Sequence, residues 1–333
     1  MKLTDILKNC QDNIIISDMF TKANQIINNS GYKNIVASIS GGADSDIVLD
    51  VLEKIKHPDV NITYVWFNTG LEYQATKNHL DYLENKYNIK IRRERAIKPI
   101  PQACKEWGQP FLNKDVSFKI KTLQNNNFDF KDYTPEEFVT KYPNCKGLVN
   151  WWCNLGESRR FKIERNRFLK EFLIANPPTF RISPACCNYA KKKVSHRLIK
   201  ELKCDLMIVG VRKAEGGIRA VQYKDCYTIN RDGTSYYRPL FWLSDSDRLY
   251  YETKFNIKHS DCYCSYGFLR TGCVCCPYGG KSLSHELQIT QQYEPNMYKA
   301  VTTVFKDSYA YTETYYKFVK DQKQRLKGRK RLF

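Results

Sequence analysis

The sequence predicts an α/β fold, a Rossmann-like parallel sheet with helices on both faces, carrying a helical insertion and a Cys-rich C-terminal region. Three observations predict it. Short β-prone runs alternate with helical stretches over residues 34–95, a Ser-Gly-Gly turn follows the first run directly, and a strand signal returns downstream at Asp205 to Val211. Such alternation builds a parallel sheet, because each crossover lays its helix back across the strands it joins.

The elements follow in order. Residues 1–30 read as a helical segment with Ile6, Leu7, Ile14, Ile15, Phe20, Ile26 and Ile27 as its apolar positions, broken by Gly31. Asn34 to Ile39 is the first strand. After the turn, Asp46 to Ile55 is helical, with Ile47, Val48, Val51, Leu52 and Ile55 on one face. Asn61 to Phe67 is a second buried strand, 72–87 a helix and Ile89 to Arg93 a third strand. From Lys98 to Ala185 the strand pattern lapses into Asn, Lys and aromatic residues. Within it, Ser158 to Ile174 reads as one basic amphipathic helix with Ser158 as its cap. Asp261 to Gly280 is rich in cysteine and glycine and reads as irregular. The chain after Tyr298 is helical and ends in a basic run from Lys323 to Arg331. The predicted organisation is therefore an N-terminal helical segment (1–30), a nucleotide domain in two pieces (31–97 and 180–250), a helical insertion (98–179), a Cys-rich metal-binding region (251–285) and a basic helical tail (286–333).

Composition narrows the function classes. With 333 residues, 42% of them hydrophobic and 14% aromatic, the chain is folded rather than disordered. No apolar run is long enough for a bilayer span, and Met1-Lys2-Leu3-Thr4-Asp5 lacks the apolar core of an export signal, so a cytoplasmic location with no membrane partner is expected. A net charge of +19 attracts polyanions, which makes nucleic acid an expected partner beside a small anionic substrate. Thirteen cysteines, an odd number in such a chain, point to metal ligation or redox chemistry rather than a disulfide framework.

The turn Ser40-Gly41-Gly42-Ala43-Asp44-Ser45 is the most informative segment. Glycines free the backbone so that several N–H groups converge on one anion, and the following helix aims its positive end at the same point. Ser40 and Ser45 add hydroxyl donors, and Asp44 orients a metal ion or holds the loop. The spacing is not that of a Walker loop, which needs Gly-Lys-Ser/Thr.

With these residues in view, the sequence resembles the phosphoadenosine phosphosulfate (PAPS) reductase family of the adenine-nucleotide alpha-hydrolase, or PP-loop ATP pyrophosphatase, superfamily, in its iron–sulfur form. The SGGxDS loop is similar to that superfamily's pyrophosphate loop. Trp66-Phe67-Asn68-Thr69-Gly70-Leu71-Glu72-Tyr73 resembles the family's DTGLE segment, with Asn68 where Asp is usual. Val209-Gly210-Val211-Arg212-Lys213-Ala214-Glu215-Gly216 with Arg219, and Arg238-Pro239-Leu240 with Trp242 to Asp247, resemble two later blocks in family order. The resemblance implies that Ser40, Gly41, Gly42, Asp44 and Ser45 hold the phosphate or sulfate end. Thr69 and Gly70 would then lie beside the nucleotide, with Arg212 and Arg219 on anionic oxygens. Ala43 stands where many family members have Lys.

Two cysteine groups stand out, Cys186-Cys187 and the C-x-x-C of Cys273 and Cys276. A vicinal pair followed by a distant C-x-x-C resembles the ligand set of the 4Fe–4S cluster in adenylyl-sulfate (APS) reductases, so the resemblance implies Cys186, Cys187, Cys273 and Cys276 as metal ligands. A rival reading is local, zinc held by Cys262, Cys264, Cys273 and Cys276, with His259 or His285 as substitutes. Free thiols are a third. Cys275 is a neighbouring candidate for ligation or for sulfur chemistry, and with Asp44 and Arg212 it makes up the catalytic set. Sulfonucleotide reductases resemble one another in a C-terminal nucleophilic cysteine segment, and this sequence has no cysteine after Cys276.

Three functions follow as expectations. In the first, ATP with Mg2+ adenylates a tRNA or DNA acceptor and sulfur displaces AMP, drawing on a donor protein for sulfur or electrons. In the second, APS or PAPS is reduced to sulfite. In the third, the chain is a metal-stabilised nucleic-acid-binding protein without turnover.

Overall fold

The structure, a computed structural model, describes residues 2–216 and 222–330. Arg219 lies outside the described residues. The chain divides into two compact units, Met1–Ile97 with Ala190–Val274, and Lys98–Tyr189 with Cys275–Phe333.

The first unit is the α/β layer structure. Its strands are β1 (Ile35–Ser38), β2 (Ile62–Asn68), β3 (Ile91–Arg95), β4 (Leu206–Val209), β5 (Tyr227–Ile229) and β6 (Ser235–Tyr237). They lie in the order β3-β2-β1-β4-β6-β5, parallel except for β5, which pairs antiparallel with β6. Side chains alternate across the sheet with the strand period of two. Ile35, Ala37 and Ile39 join one apolar layer with Ile47 and Val51. Val36, Val65 and Met207 join the other with Leu198 and Ile199. Four helices accompany the first three strands: α1 (Leu3–Asn9), α2 (Ile14–Asn29), α3 (Ala43–Ile55) and α4 (Gln74–Tyr87). A fifth, α5 (Lys193–Glu201), precedes β4 and supplies Leu198 and Ile199. The chain returns from β1 through β2 to β3 on one side and reaches β4 on the other. The strand order therefore reverses between β1 and β4, the position where open parallel sheets leave a crevice at their strand ends.

Inside this unit Asp50 of α3 is buried with three donors on its carboxylate: Tyr251 Oη at 2.6 Å, Tyr87 Oη at 2.8 Å and Lys54 Nζ at 2.5 Å. A buried carboxylate keeps its charge only when satisfied in this way.

The second unit is helical around an aromatic core of Phe111, Phe128, Phe138, Trp152 and Phe172. The expected single helix over Ser158 to Ile174 is not formed. The segment makes two 3-10 turns, Arg159–Phe161 and Ile163–Arg165, and then a helix, Leu169–Ala175. Phe168 takes a left-handed backbone, φ 57°, which interrupts helical phase ahead of Leu169 and Phe172. The helix Lys306–Lys330 belongs to this core, for Tyr315 packs against Phe172 with ring centroids 5.2 Å apart. The cysteine-rich stretch is shared between the units, Cys262, Cys264 and Cys273 falling in the first and Cys275 and Cys276 in the second. Among the described residues no helix is long and apolar enough to cross a membrane.

Candidate active site

The phosphate-loop residues converge where β1 meets α3. Gly41 has φ +70°, and a Cβ there would stand 2.8 Å from Thr76 Cγ2, so both conformation and space demand glycine. Ser45 is buried and ties the loop together. Its hydroxyl donates to Gly42 O at 2.7 Å and accepts from Gly42 N at 3.1 Å and Ser40 N at 3.2 Å. Ser45 is thus a brace for the loop as well as a candidate donor, and Ser40 Oγ stands 3.2 Å from it.

Gly210, after β4, brings the other side of the crevice close. A Cβ on Gly210 would lie 3.4 Å from the Asp44 carbonyl. Two residues on, Arg212 is 4% exposed and donates through Nε to Asp44 Oδ1 at 2.9 Å and through Nη1 to Asp245 Oδ1 at 2.8 Å. Burial raises the Asp44 carboxyl pKa, and the charges of Arg212 and Arg248 work against that rise. The sequence reading placed Asp44 and Arg212 in one catalytic set, and the structure brings them into direct contact across 168 positions of chain.

After β2, Thr69 has no exposed surface and donates to Glu72 Oε1 at 2.5 Å, and Gly70 N–H donates to Asn68 Oδ1 at 3.0 Å. Burial raises the Glu72 pKa, offset by the charge of Lys191 and by the Thr69 bonds. Cys273 joins this edge. It makes a β-bridge with Glu72, and its Sγ is 3.6 Å from Thr69 Oγ1.

Tyr263 and Thr271 were not foreseen. Ala43 N–H, at the start of α3, donates to Tyr263 Oη at 3.0 Å. A Cβ on Gly42 would meet Thr271 Oγ1 at 3.0 Å and Tyr263 Oη at 3.3 Å. A phenol therefore already satisfies one of the amides that face an anion. Behind the loop, buried Asp46 of α3 meets His79 Nε2 at 3.0 Å and His259 Nδ1 at 2.8 Å, and His259 Nε2 meets Glu252 at 3.0 Å. Burial disfavours charge on His259, but its bonds to Asp46 and Glu252 prevail and push its pKa up to about 9.

The second unit gathers cysteines of its own. Cys186 is in hydrogen-bond contact with Cys187 and Cys104, and Cys276 is close enough to add to its charge environment. Cys104, on the helix Ile100–Trp107, was not singled out from the sequence, where it stands far from every other cysteine. Among the described residues no three His, Cys, Asp or Glu side chains stand close enough to hold a single metal ion. Cys275 differs from the others. It has no exposed surface, its Sγ is 3.2 Å from Thr290 Oγ1, and its carbonyl accepts from Tyr309. Reactive thiols are partly exposed and in electropositive surroundings, so this placement speaks against the sulfur chemistry expected of Cys275.

Residues 34–127 match the family model of the phosphoadenosine phosphosulfate reductase domain. That stretch, which holds the loop, β2 and β3, is similar to this family's domain, as the motif resemblance implied. An uncharacterized protein of Methanocaldococcus jannaschii is 25% identical over 145 residues, which is 44% of this chain and 28% of that protein. The chain thus matches less than a third of that curated relative's length. Among solved structures, the phosphate complex of a PAPS reductase from Candida auris is similar over 81% of this chain and 93% of its own, at 14% identity and a TM-score of 0.41. A U34-tRNA thiolase from Methanococcus maripaludis with its 4Fe–4S cluster is similar over 92% and 80%, at 15% identity and a TM-score of 0.40. These are loose likenesses, and the fold class rests on the sheet order itself.

Proposed function

We propose that this chain is a PP-loop ATP pyrophosphatase of the PAPS reductase family that adenylates a nucleic-acid acceptor, tRNA or DNA, and replaces the adenylate with sulfur. The observation that carries the reading is one edge of one sheet. The phosphate loop, the Arg212–Asp44 pair and the partly exposed Cys273 thiol all belong to the first unit, at the C-terminal ends of β1, β4 and β2. Loop amides and the start of α3 would take the phosphates of ATP and its Mg2+. Arg212, held by two carboxylates, would be positioned to meet charge that develops on the α-phosphate. Cys273, beside Thr69 and Glu72, puts a sulfur atom at the nucleotide edge.

A 4Fe–4S cluster is part of the proposal, with Cys186, Cys187 and Cys276 of the second unit among its ligands. The chemistry of the donors fits, since thiolates are the usual ligands of such clusters. When bound, such a cluster supplies electrons or a site for sulfur.

The test is product analysis. Incubation with Mg-ATP, a sulfide donor and a tRNA or DNA acceptor should release AMP and pyrophosphate in equal amounts, AMP leaving as sulfur displaces it from the acceptor. Release of ADP and phosphate, or no acceptor-dependent turnover, would sink the reading. The family match favours a second reading, reduction of APS or PAPS. Sulfite release from either nucleotide with a thiol donor would establish it instead.

A further inference from the structure

A groove of about 520 Å3 opens in the first unit, bounded by Ser38 at the end of β1, Phe67 of β2 and Tyr236 of β6. Its cationic side is made by Lys191, Lys192 and Arg238, with His196 beside them, and among the described residues no Asp or Glu lines it. Lys191 and Lys192 are exposed and sit on a π-helical turn, Asn188–Lys192, directly before α5. Such turns are rare and recur at functional sites.

Arg238 is the unusual member. It is only 3% exposed, yet its hydrogen bonds go to neutral oxygens, the Asp225 carbonyl at 3.3 Å and Thr228 Oγ1 at 3.2 Å. Its Nε is buried with no hydrogen-bond partner, and the guanidinium lies 4.1 Å from the centre of the Tyr223 ring. Buried charges are ordinarily paired, because an unpaired one forfeits hydration without recovering it. The contrast within the same unit is direct, since buried Arg212 holds two carboxylates. A buried cation with no ion pair among the described residues, in a groove lined by further lysines, is matched to an anion from outside. Tyr223, Tyr236 and Phe67 add aromatic surface of the kind on which bases stack.

We propose that this groove binds the sugar–phosphate backbone of a single-stranded segment of the nucleic-acid acceptor. The proposal rests on the function proposed above, whose acceptor it places beside the C-terminal ends of β1 and β2. Lys191 and Lys192 pair with backbone phosphates, Arg238 adds a fixed positive charge to the groove wall, and the aromatic rings meet the bases.

The test uses the full chain, with the Lys191→Ala/Lys192→Ala double variant as its main arm. Those lysines are exposed, so the fold should survive, and thermal melting checks it. Binding of a fluorescent single-stranded RNA and its DNA counterpart is followed by anisotropy across a salt series, and ATP binding is measured alongside. The double variant should bind the strand at least tenfold more weakly, with the slope of log K against log salt reduced by roughly 1.4, about 0.7 for each lost phosphate contact. A loss of ATP affinity as large as the loss of strand affinity would assign the groove to the nucleotide and overturn the proposal. Arg238→Gln should weaken strand binding in the same direction. A wild-type chain that binds no strand, or a double variant with unchanged affinity and slope, would overturn the groove proposal while leaving ATP turnover to be judged separately. A loss confined to adenosine 3′,5′-bisphosphate relative to AMP would also overturn it, assigning the groove to the nucleotide's own phosphate. Strand binding that depends on the lysines, without any AMP-forming turnover, would instead keep the groove and sink the adenylation reading.

Discussion

At the scale of single residues, the loop is more constrained than its motif suggests. Gly41 combines a positive φ with a 2.8 Å approach to Thr76, so Gly41→Ala should cost about 1–3 kcal/mol of stability, measurable by denaturant unfolding. The same change should weaken nucleotide binding, because the amides lose their shared direction. Tyr263 makes the opposite prediction. Its hydroxyl accepts from Ala43 N–H, and an arriving phosphate must displace it. Tyr263→Phe removes the competitor, and ATP should bind about fivefold more tightly, the worth of one neutral hydrogen bond of about 1 kcal/mol. Calorimetric titration of the two proteins decides it, and weaker binding by the variant would show that the phenol is itself a phosphate donor. Gly41, Asp44 and Arg212 were legible in the sequence because each sits in a motif. Tyr263, Thr271 and Cys104 were not, since their roles come from contacts with residues far away in the chain.

At the scale of elements, the first four parallel strands and the helices α3 and α4 were legible from periodicity, because each carries a sustained apolar pattern. The β5–β6 hairpin was missed, for three-residue strands have too few positions to show alternation. Ser158 to Ile174 was misread because its apolar residues keep helical spacing while Phe168 turns left-handed, a property that no pattern of polarity reports. The packing of α3 and α4 also depends on an ionic centre, Asp46 with His79 and His259, and His259 with Glu252. Its pH dependence has a definite sign. The His259 pKa rises from 6.5 to about 9 in the folded chain, so the protonated ring binds its carboxylates more tightly than the unfolded chain does. That contribution is complete below pH 6.5 and is lost as pH climbs through 9. The melting temperature of the wild type should therefore fall across this window, and His259→Gln should melt lower at pH 6 with a flatter profile. An equally steep fall in the variant would assign the effect to other groups.

For the whole molecule, the sequence reading drew an insertion at 98–179 and a separate tail at 286–333, whereas Lys98–Tyr189 and Cys275–Phe333 form one compact unit. Tyr311 and Tyr315 of the last long helix pack on Phe111 and Phe172, contacts between segments that no local pattern connects. This division separates two chemistries that the motifs had run together. The phosphate loop, Arg212 and Thr69 belong to the first unit, and Cys104, Cys186, Cys187 and Cys276 to the second. Each unit has its own buried core, so loss of thiols in one leaves the loop geometry of the other without a direct cause to change. Anaerobically purified Cys186→Ser/Cys187→Ser protein should therefore lose most of its iron and visible absorbance while binding ATP within about twofold of wild type, a difference of less than 0.5 kcal/mol. Iron and sulfide analysis with parallel ATP titration measures both. Full retention of iron would remove the vicinal pair from the ligand set. Loss of ATP binding together with iron would mean that the metal organises the nucleotide site as well, and that the two chemistries are energetically one.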